Sequence, residues 1–272
     1  MSQSIPTVLA LDFDGVICDG LIEYFQTAWR AYCNVWKPDN PTPPVDLAER
    51  FYALRPVVES GWEMPLVLRS LLLGTPDADI LDHWSALTQP LLDAENLDKT
   101  QLAHQVDGVR DEWISHDLDH WLAQHRFYPG VIERLQQWQL DQNVELTIIT
   151  TKEGRFVQKL LHQQGVVLTP DQIFGKEVKQ PKAVTLRSRL HQDPGHPPTI
   201  WFIEDRLKTL QQVSTVPELD SVALFLADWG YNTVRDRDSA QNDPRIHLLS
   251  LKTFSQQLPR WLSDSSSKLP SG

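Results

Sequence analysis

Asp12 and Asp14 stand one residue apart at the end of the apolar run "TVLAL", and reactive residue types recur at two similar positions: "VELTIIT" ends at Thr150, and "TIWFIE" ends at Glu204 with Asp205 next to it. A strand alternates its side chains with a period of two, so Asp12 and Asp14 can address one ligand. Four acids gathered at one rim repel one another unless a divalent cation joins them. Magnesium suits such a set, because it takes one or two carboxylates directly and shares a phosphate oxygen. With the cation present, an ionised Asp12 could attack phosphorus to give an aspartyl-phosphate. Asp14, its pKa raised beside another carboxylate, would protonate the leaving alcohol and afterwards take a proton from water. Thr150 offers a hydroxyl to the transferring oxygens, and "GKEVKQPKAVTL" offers an ammonium from Lys176, Lys179 or Lys182.

These residues need a scaffold that brings distant strand ends together. Short β-like runs end at Asp12, Thr150 and Glu204, and two more lie at "SVALFLA" and "RIHLLS"; helical stretches such as "VIERLQQWQL", "GRFVQKLLHQQ" and "RLKTLQQV" separate most of them. That alternation predicts an α/β fold with a parallel sheet covered by helices on both faces, and ligands gather at the carboxyl ends of such strands. Residues 17–126 read differently. They contain amphipathic segments, no convincing strand and six of the ten tryptophans, so a helical domain inserted after the first strand is expected. The boundaries are 1–16 with 127–262 for the core and 17–126 for the insertion, and the polar tail 263–272 is expected to be disordered.

The net charge is -11, and -10 of it falls in residues 16–126. An acidic chain is a poor partner for nucleic acid or an anionic membrane. No apolar run approaches the roughly 20 residues of a membrane helix, and the amino terminus lacks the pattern of a signal peptide, so the cytoplasm is the expected location. Cys18 and Cys33 fit neither a disulfide framework nor a metal site and are expected to pack as small apolar residues.

The segments "LDFDGVICDG", "YPGVIERLQQW" with "LTIITTKEG", "KQPKAVTLRSRL" and "IWFIEDR", followed by "ADWGYNT", occur in the order and at about the spacing of the motifs of haloacid dehalogenase-like hydrolases. The chain resembles that family over its first 16 residues and from about 127 to 235. The resemblance implies a Rossmann-like core, an all-helical cap domain inserted after the first motif, and magnesium-dependent phosphoryl transfer. By position it implies Asp12 as nucleophile, Asp14 as acid/base, Thr150 as phosphate-binding hydroxyl, Gly15 and Thr151 as substrate-binding, and Asp12, Asp14, Glu204 and Asp205 as metal-holding, Asp14 also through its backbone carbonyl. For the lysine, Lys182 opens a helix 23 residues before Asp205 and is preferred, with Lys179 the alternative. The acid often found four residues after the last aspartate is replaced by Thr209. The adjacent Glu204 and Asp205 resemble instead the branch of sugar-phosphate mutases and phosphatases.

The implied function is a phosphatase acting, as a monomer, on a small phosphorylated metabolite. A phosphomutase would use the same core, but similar mutases carry a histidine early in the first cap helix, and "VICDGLIEYFQTAWRAYC" has none. A dehalogenase would lack the second aspartate, and a non-catalytic binding module would usually lose the nucleophile or the metal acids. In related caps the turn between the second and third helices reaches the leaving group. Here that turn is "LRPVVESGWE", where Arg55 could bind a second anionic group and Glu59 or Glu63 a hydroxyl or amine. His116 and His120 have the spacing of a zinc pair but no third ligand, and read as an exposed polar helix face.

Overall fold

The computed structural model describes residues 5–141, 143–193 and 195–263. The chain forms two compact units: one comprises the chain up to Asp19 together with the chain from Phe127 onward, the other Gly20–Arg126. Among the described residues no helix is long and apolar enough to cross a membrane. The tail expected to be disordered lies, after Ser263, outside the described residues.

Gly20–Arg126 is built from helices α1 (Leu21–Trp36), α2 (Leu47–Leu54), α3 (Glu63–Leu72), α4 (Asp77–Ala94), α5 (Lys99–His116) and α6 (Leu118–Leu122). On α1 the residues Tyr24, Phe25, Ala28, Ala31 and Tyr32 recur at helical spacing and are buried. The helix stops at Lys37, which takes a left-handed conformation with φ 46°. The proline-rich segment beyond it cannot continue a helix, and Trp29 holds it by donating from Nε1 to the Pro41 carbonyl at 2.7 Å. His116 and His120 do not share a helix face: Asp117 ends α5 and caps α6, and His120 Nδ1 accepts from Trp113 Nε1 at 3.2 Å. Cys18 is buried and Cys33 partly so, and both are free thiols.

The other unit is organised by a six-stranded sheet in which every pairing is parallel. Its strands are β1 (Val8–Leu11), β2 (Glu145–Ile149), β3 (Ile173–Phe174), β4 (Ile200–Glu204), β5 (Ala223–Ala227) and β6 (Ile246–Leu249), in the order β3-β2-β1-β4-β5-β6. Nearly every residue of β1, β4 and β5 is buried, as strands covered on both faces require. Val8, Ala10, Phe202 and Leu224 point to one face, where they meet Leu186, Leu210, Val213 and Ala240 of the following helices. On the opposite face Trp201 and Phe225, with ring centroids 5.1 Å apart, pack against Trp261, which also meets Trp138 at 5.8 Å. The edge strand β3 is absent from the sequence reading. At two residues it is too short to show any alternation.

Strand order reverses at β1. The chain steps from β1 outward to β2 and β3, then returns to the other side for β4 to β6, which opens a crevice at the carboxyl ends of β1 and β4. Register does the rest. Leu11 pairs with Ile148 and with Ile203, and the Asp12 amide donates to the Ile203 carbonyl at 2.9 Å, so Asp12 comes level with Glu204 and one residue short of Thr150.

A buried charge pair in the helical unit supplies a stability test. Glu23 Oε1 accepts from Thr27 Oγ1 at 2.7 Å, Arg110 Nε at 2.8 Å and Trp121 Nε1 at 3.0 Å. Burial alone would lower the Arg110 pKa, but the Glu23 charge outweighs it and holds the guanidinium above its ordinary value. Arg110→Met is expected to cost about 3 kcal/mol in urea unfolding, because it strands a buried carboxylate. A loss below about 1 kcal/mol would mean that the two remaining donors satisfy Glu23 without its counter-ion.

Candidate active site

Each acid is fixed by the element that carries it. Asp12 follows β1 directly, and its Oδ1 accepts from the Phe13 amide at 2.7 Å. The chain then turns sharply at Gly15, whose φ of 87° favours glycine and whose Cβ, if present, would collide with the Asp205 carboxylate. Gly230 has a matching role, since a Cβ there would strike Asp205 Cβ and the Gly15 carbonyl oxygen. Two loops therefore close directly onto Asp205. From the second of them the Tyr231 amide donates to Asp205 Oδ2 at 2.7 Å, and Asn232 Nδ2 bridges the Asp205 and Ala227 carbonyls at 3.0 and 2.8 Å. Glu204, the last residue of β4, accepts the Arg206 amide on Oε1 at 3.0 Å.

Lys182 joins two of these acids. Its Nζ lies 2.9 Å from Asp12 Oδ1 and 2.7 Å from Glu204 Oε2. Pro181 caps the helix Lys182–Leu190, so Lys182 is its first residue. Lys176 and Lys179 are both exposed, and Lys179 adopts a left-handed backbone with φ 52°. Of the three lysines, Lys182 is the one the structure brings to the carboxylates.

Burial and crowding reshape the charges. Removal from water, reinforced by the Glu204 charge and opposed by Lys182, pushes the Asp12 carboxyl up to about 7. Burial likewise takes Glu204 up to about 7, with Lys182 resisting and Asp205 assisting. Burial alone would lower Lys182, but Asp12 and Glu204 outweigh it and keep its ammonium above the ordinary lysine value.

Asp12, Glu204 and Asp205 each offer a carboxylate oxygen, and these oxygens lie within 4.8 Å of one another. Three hard, buried oxygen donors with one ammonium set between two of them carry excess negative charge, which is the donor chemistry that suits magnesium. The residues present therefore fit the cation. The Asp14 side chain lies outside that group, and its ion-pair partner is Lys152, whose Nζ stands 3.3 and 3.4 Å from the two Asp14 oxygens. Thr150 is buried, and its Oγ1 accepts the Lys152 amide at 3.1 Å; Thr151 is exposed.

The remaining sequence candidates lie in the helical unit. Arg55 opens a short 3₁₀ turn, donates to the Val58 carbonyl at 2.9 Å and lies 4.8 Å over the Tyr24 ring. Glu59 is exposed on that turn. Glu63 is not available to a ligand in the way the sequence suggests. Its Oε2 accepts the Glu59 and Ser60 amides at 2.7 and 2.6 Å, and its Oε1 accepts Trp84 Nε1 at 3.2 Å, so it clamps the turn. The sequence reading passed over Lys152 and the glycine of "ADWGYNT". Both lie inside motifs it quoted, but only the folded geometry shows which acid each one serves.

No family model and no curated protein matches this chain. Solved structures do. A haloacid dehalogenase-like family hydrolase from Streptococcus pneumoniae aligns with a TM-score of 0.54 and 16% identity, covering 92% of this chain and 95% of that one. A "predicted phosphatase" from Clostridium acetobutylicum aligns with a TM-score of 0.53 and 15% identity, covering 93% and 97%. A "predicted phosphoglycolate phosphatase" from Haemophilus somnus aligns with a TM-score of 0.51 and 15% identity, covering 85% and 88%. The chain has the fold of haloacid dehalogenase-like hydrolases.

The acid cluster predicts how a cation and pH act together. Asp12 and Glu204 titrate near 7 in the folded chain against ordinary values of 3.8 and 4.5. Without a cation, the stability they contribute is present below those ordinary values and is lost as pH rises through about 7. A cation displaces the same protons. Magnesium is therefore expected to raise the melting temperature more at about pH 8 than at about pH 5.5, and Asp12→Asn to shrink that difference. Equal shifts at the two pH values would place the cation elsewhere.

Proposed function

We propose that this chain is a magnesium-dependent phosphatase that hydrolyses a small phosphorylated metabolite through an aspartyl-phosphate at Asp12. The observation that carries this reading is the placement of Asp12: a buried carboxylate at the end of β1, bridged by Lys182 to Glu204 and close to Asp205. The shared fold with proteins named as hydrolases and phosphatases supports it. Magnesium held by Asp12, Glu204 and Asp205 would supply the positive charge that lets a phosphate dianion approach a carboxylate.

The protein's own groups perform the steps. An Asp12 oxygen attacks phosphorus while the bond from phosphorus to the leaving oxygen breaks, and Asp14 gives that oxygen its proton. Asp14, now a carboxylate, takes a proton from water; the water oxygen attacks phosphorus, and inorganic phosphate leaves with Asp12 restored. Lys182 holds Asp12 in place and faces the phosphoryl oxygens with positive charge. Thr150 Oγ1 already accepts from the Lys152 amide, so its own hydrogen is directed outward to donate to a phosphoryl oxygen. Thr151, exposed on the loop after β2, would offer a hydroxyl donor, whereas the Gly15 amide is already given to the Cys18 carbonyl at 2.8 Å, so Gly15 serves the turn rather than the substrate.

Gly20–Arg126 acts in this reading as a cap that selects the substrate. Arg55 and Glu59 sit on the turn that Glu63 holds rigid, and the phosphoglycolate phosphatase named among the structural relatives is consistent with a leaving group that carries a second anion.

Asp12→Asn is expected to lower magnesium-dependent phosphate release by at least about 1,000-fold, since it removes the attacking carboxylate oxygen. Retention of a tenth of the activity would rule out the covalent route. With a sugar phosphate, inorganic phosphate is expected to appear without an isomerised sugar phosphate, and accumulation of the isomer at a comparable rate would make the chain a mutase. Arg55→Ala is expected to raise KM for an anionic metabolite phosphate about tenfold and to spare an aryl phosphate. Equal effects on the two substrates would assign Arg55 to the fold alone.

A further inference from the structure

Three of the four acids of the rim are divided between two lysines. Lys182 pairs with Asp12 and Glu204, and Lys152 pairs with Asp14. The Lys152 side chain is only 9% exposed and that of Asp14 17%, so this contact is not a solvated surface pair of small consequence.

Lys152 is anchored on both sides of its Cα. Its amide donates to Thr150 Oγ1 at 3.1 Å, and its carbonyl accepts the Lys176 amide at 2.9 Å. Two residues further on, the Gly154 amide donates to Glu177 Oε2 at 3.1 Å, and a Cβ on Gly154 would collide with that carboxylate. The loop after β2 is thus clamped between its own strand end and the segment Gly175–Glu177. The ammonium it carries stands nearly equidistant, at 3.3 and 3.4 Å, from the two oxygens of Asp14. Such a contact restrains the whole carboxyl group and leaves each oxygen able to exchange a proton with a third atom.

Asp14 needs that restraint. It lies beyond the end of β1, next to the sharp turn at Gly15, and its charge repels that of Asp12. We propose that Lys152 is a positioning residue that holds the Asp14 carboxyl group where it transfers a proton to and from the reacting oxygen. This rests on the phosphatase reading and extends it: Lys152 acts through Asp14, whereas Lys182 acts at the nucleophile. In the first step the Asp14 O–H bond breaks, a new O–H bond forms on the leaving oxygen, and the bond from phosphorus to that oxygen breaks.

The test uses the full-length chain with magnesium and aryl phosphates of graded leaving-group acidity, from p-nitrophenyl to p-methoxyphenyl phosphate. The value of kcat/KM reports phosphoryl transfer and leaving-group departure for both. Nitrophenolate departs without a proton, whereas methoxyphenolate depends on one. Lys152→Met is expected to lower kcat/KM about 30-fold for the methoxyphenyl ester and about threefold or less for the nitrophenyl ester. Lys152→Arg is expected to recover most of the difference. In an Asp14→Asn background, Lys152→Met is expected to add less than about twofold, because the group it positions is already lost.

Equal losses on the two esters, or losses that multiply in the double variant, would overturn the proposal and place Lys152 on the phosphate itself. If Lys152→Met melts too low to assay, Lys152→Gln carries the same expected contrast. Absence of magnesium-dependent hydrolysis of p-nitrophenyl phosphate by the unaltered chain would instead refute the phosphatase reading, and the Lys152 assignment with it.

Discussion

A buried ammonium between two buried carboxylates is the contact around which the catalytic unit is arranged. Lys182 Nζ lies within 3 Å of both Asp12 and Glu204, and without it those acids, with Asp205 beside them, would face one another with little water to screen them. The sheet leaves little choice in the matter. Parallel register sets Asp12 level with Glu204, because Leu11 pairs with Ile203 and the Asp12 amide bonds the Ile203 carbonyl. The helix Lys182–Leu190 must then start where its first side chain can reach the gap. Even with the ammonium in place, Asp12 and Glu204 stay near 7, so one lysine offsets only part of the cost of burying three acids.

That incompleteness accounts for features of the backbone that look unrelated to charge. Gly15 and Gly230 lack a Cβ where one would touch Asp205, and the loop that follows Gly230 turns its Tyr231 amide and Asn232 side chain onto that residue. Asp205 is thereby held by hydrogen-bond donors from that loop. The site meets its excess negative charge in three ways: a shared ammonium at Asp12 and Glu204, amide donors at Asp205, and a second ammonium at Asp14. The first two leave carboxylate oxygens of Asp12, Glu204 and Asp205 facing one another, which is what a hard cation requires.

Legibility in the sequence followed how local the determining interaction is. The strands ending at Asp12, Thr150 and Glu204 were readable because an apolar run broken by a polar residue is a local signal, and the helical character of residues 20–126 was readable from periodicity. The edge strand Ile173–Phe174 was not, since two residues carry no period. The histidines at 116 and 120 misled because spacing alone cannot reveal a helix break at Asp117. Glu63 misled for a related reason: its position on a turn suggested reach toward a ligand, but a carboxylate three and four residues after bare amides is close enough to cap them instead. Lys152 went unread because its partner lies 138 residues away, and nothing near "TTKEG" distinguishes a lysine that pairs with an acid from one that faces water.

Counting charge at the rim narrows what can discriminate among substrates. Asp12, Asp14, Glu204 and Asp205 face Lys152 and Lys182, which leaves two negative charges when all six are ionised, and one divalent cation brings that sum to zero. An incoming phosphate dianion would then meet a rim with no net attraction and would be held by the local arrangement of charge and by donors such as Thr150. In the proposed reading, a rim of that kind would recognise any phosphate monoester about equally, because every group in it is engaged with phosphate chemistry or with another rim residue. Selectivity has to come from groups that the chemistry does not occupy. In the helical unit the turn at Arg55 and Glu59 is held from within by Glu63 and Trp84, and a rigid turn can bind a ligand without first having to be ordered. The acidity of that unit has a consequence for the same argument. With -10 of the net -11 in residues 16–126, an anionic metabolite is repelled by most of the surface there and attracted by few positions. In the proposed reading, a single arginine on a fixed turn would discriminate more sharply than it would on a basic surface, where many sites would compete to bind the same anion.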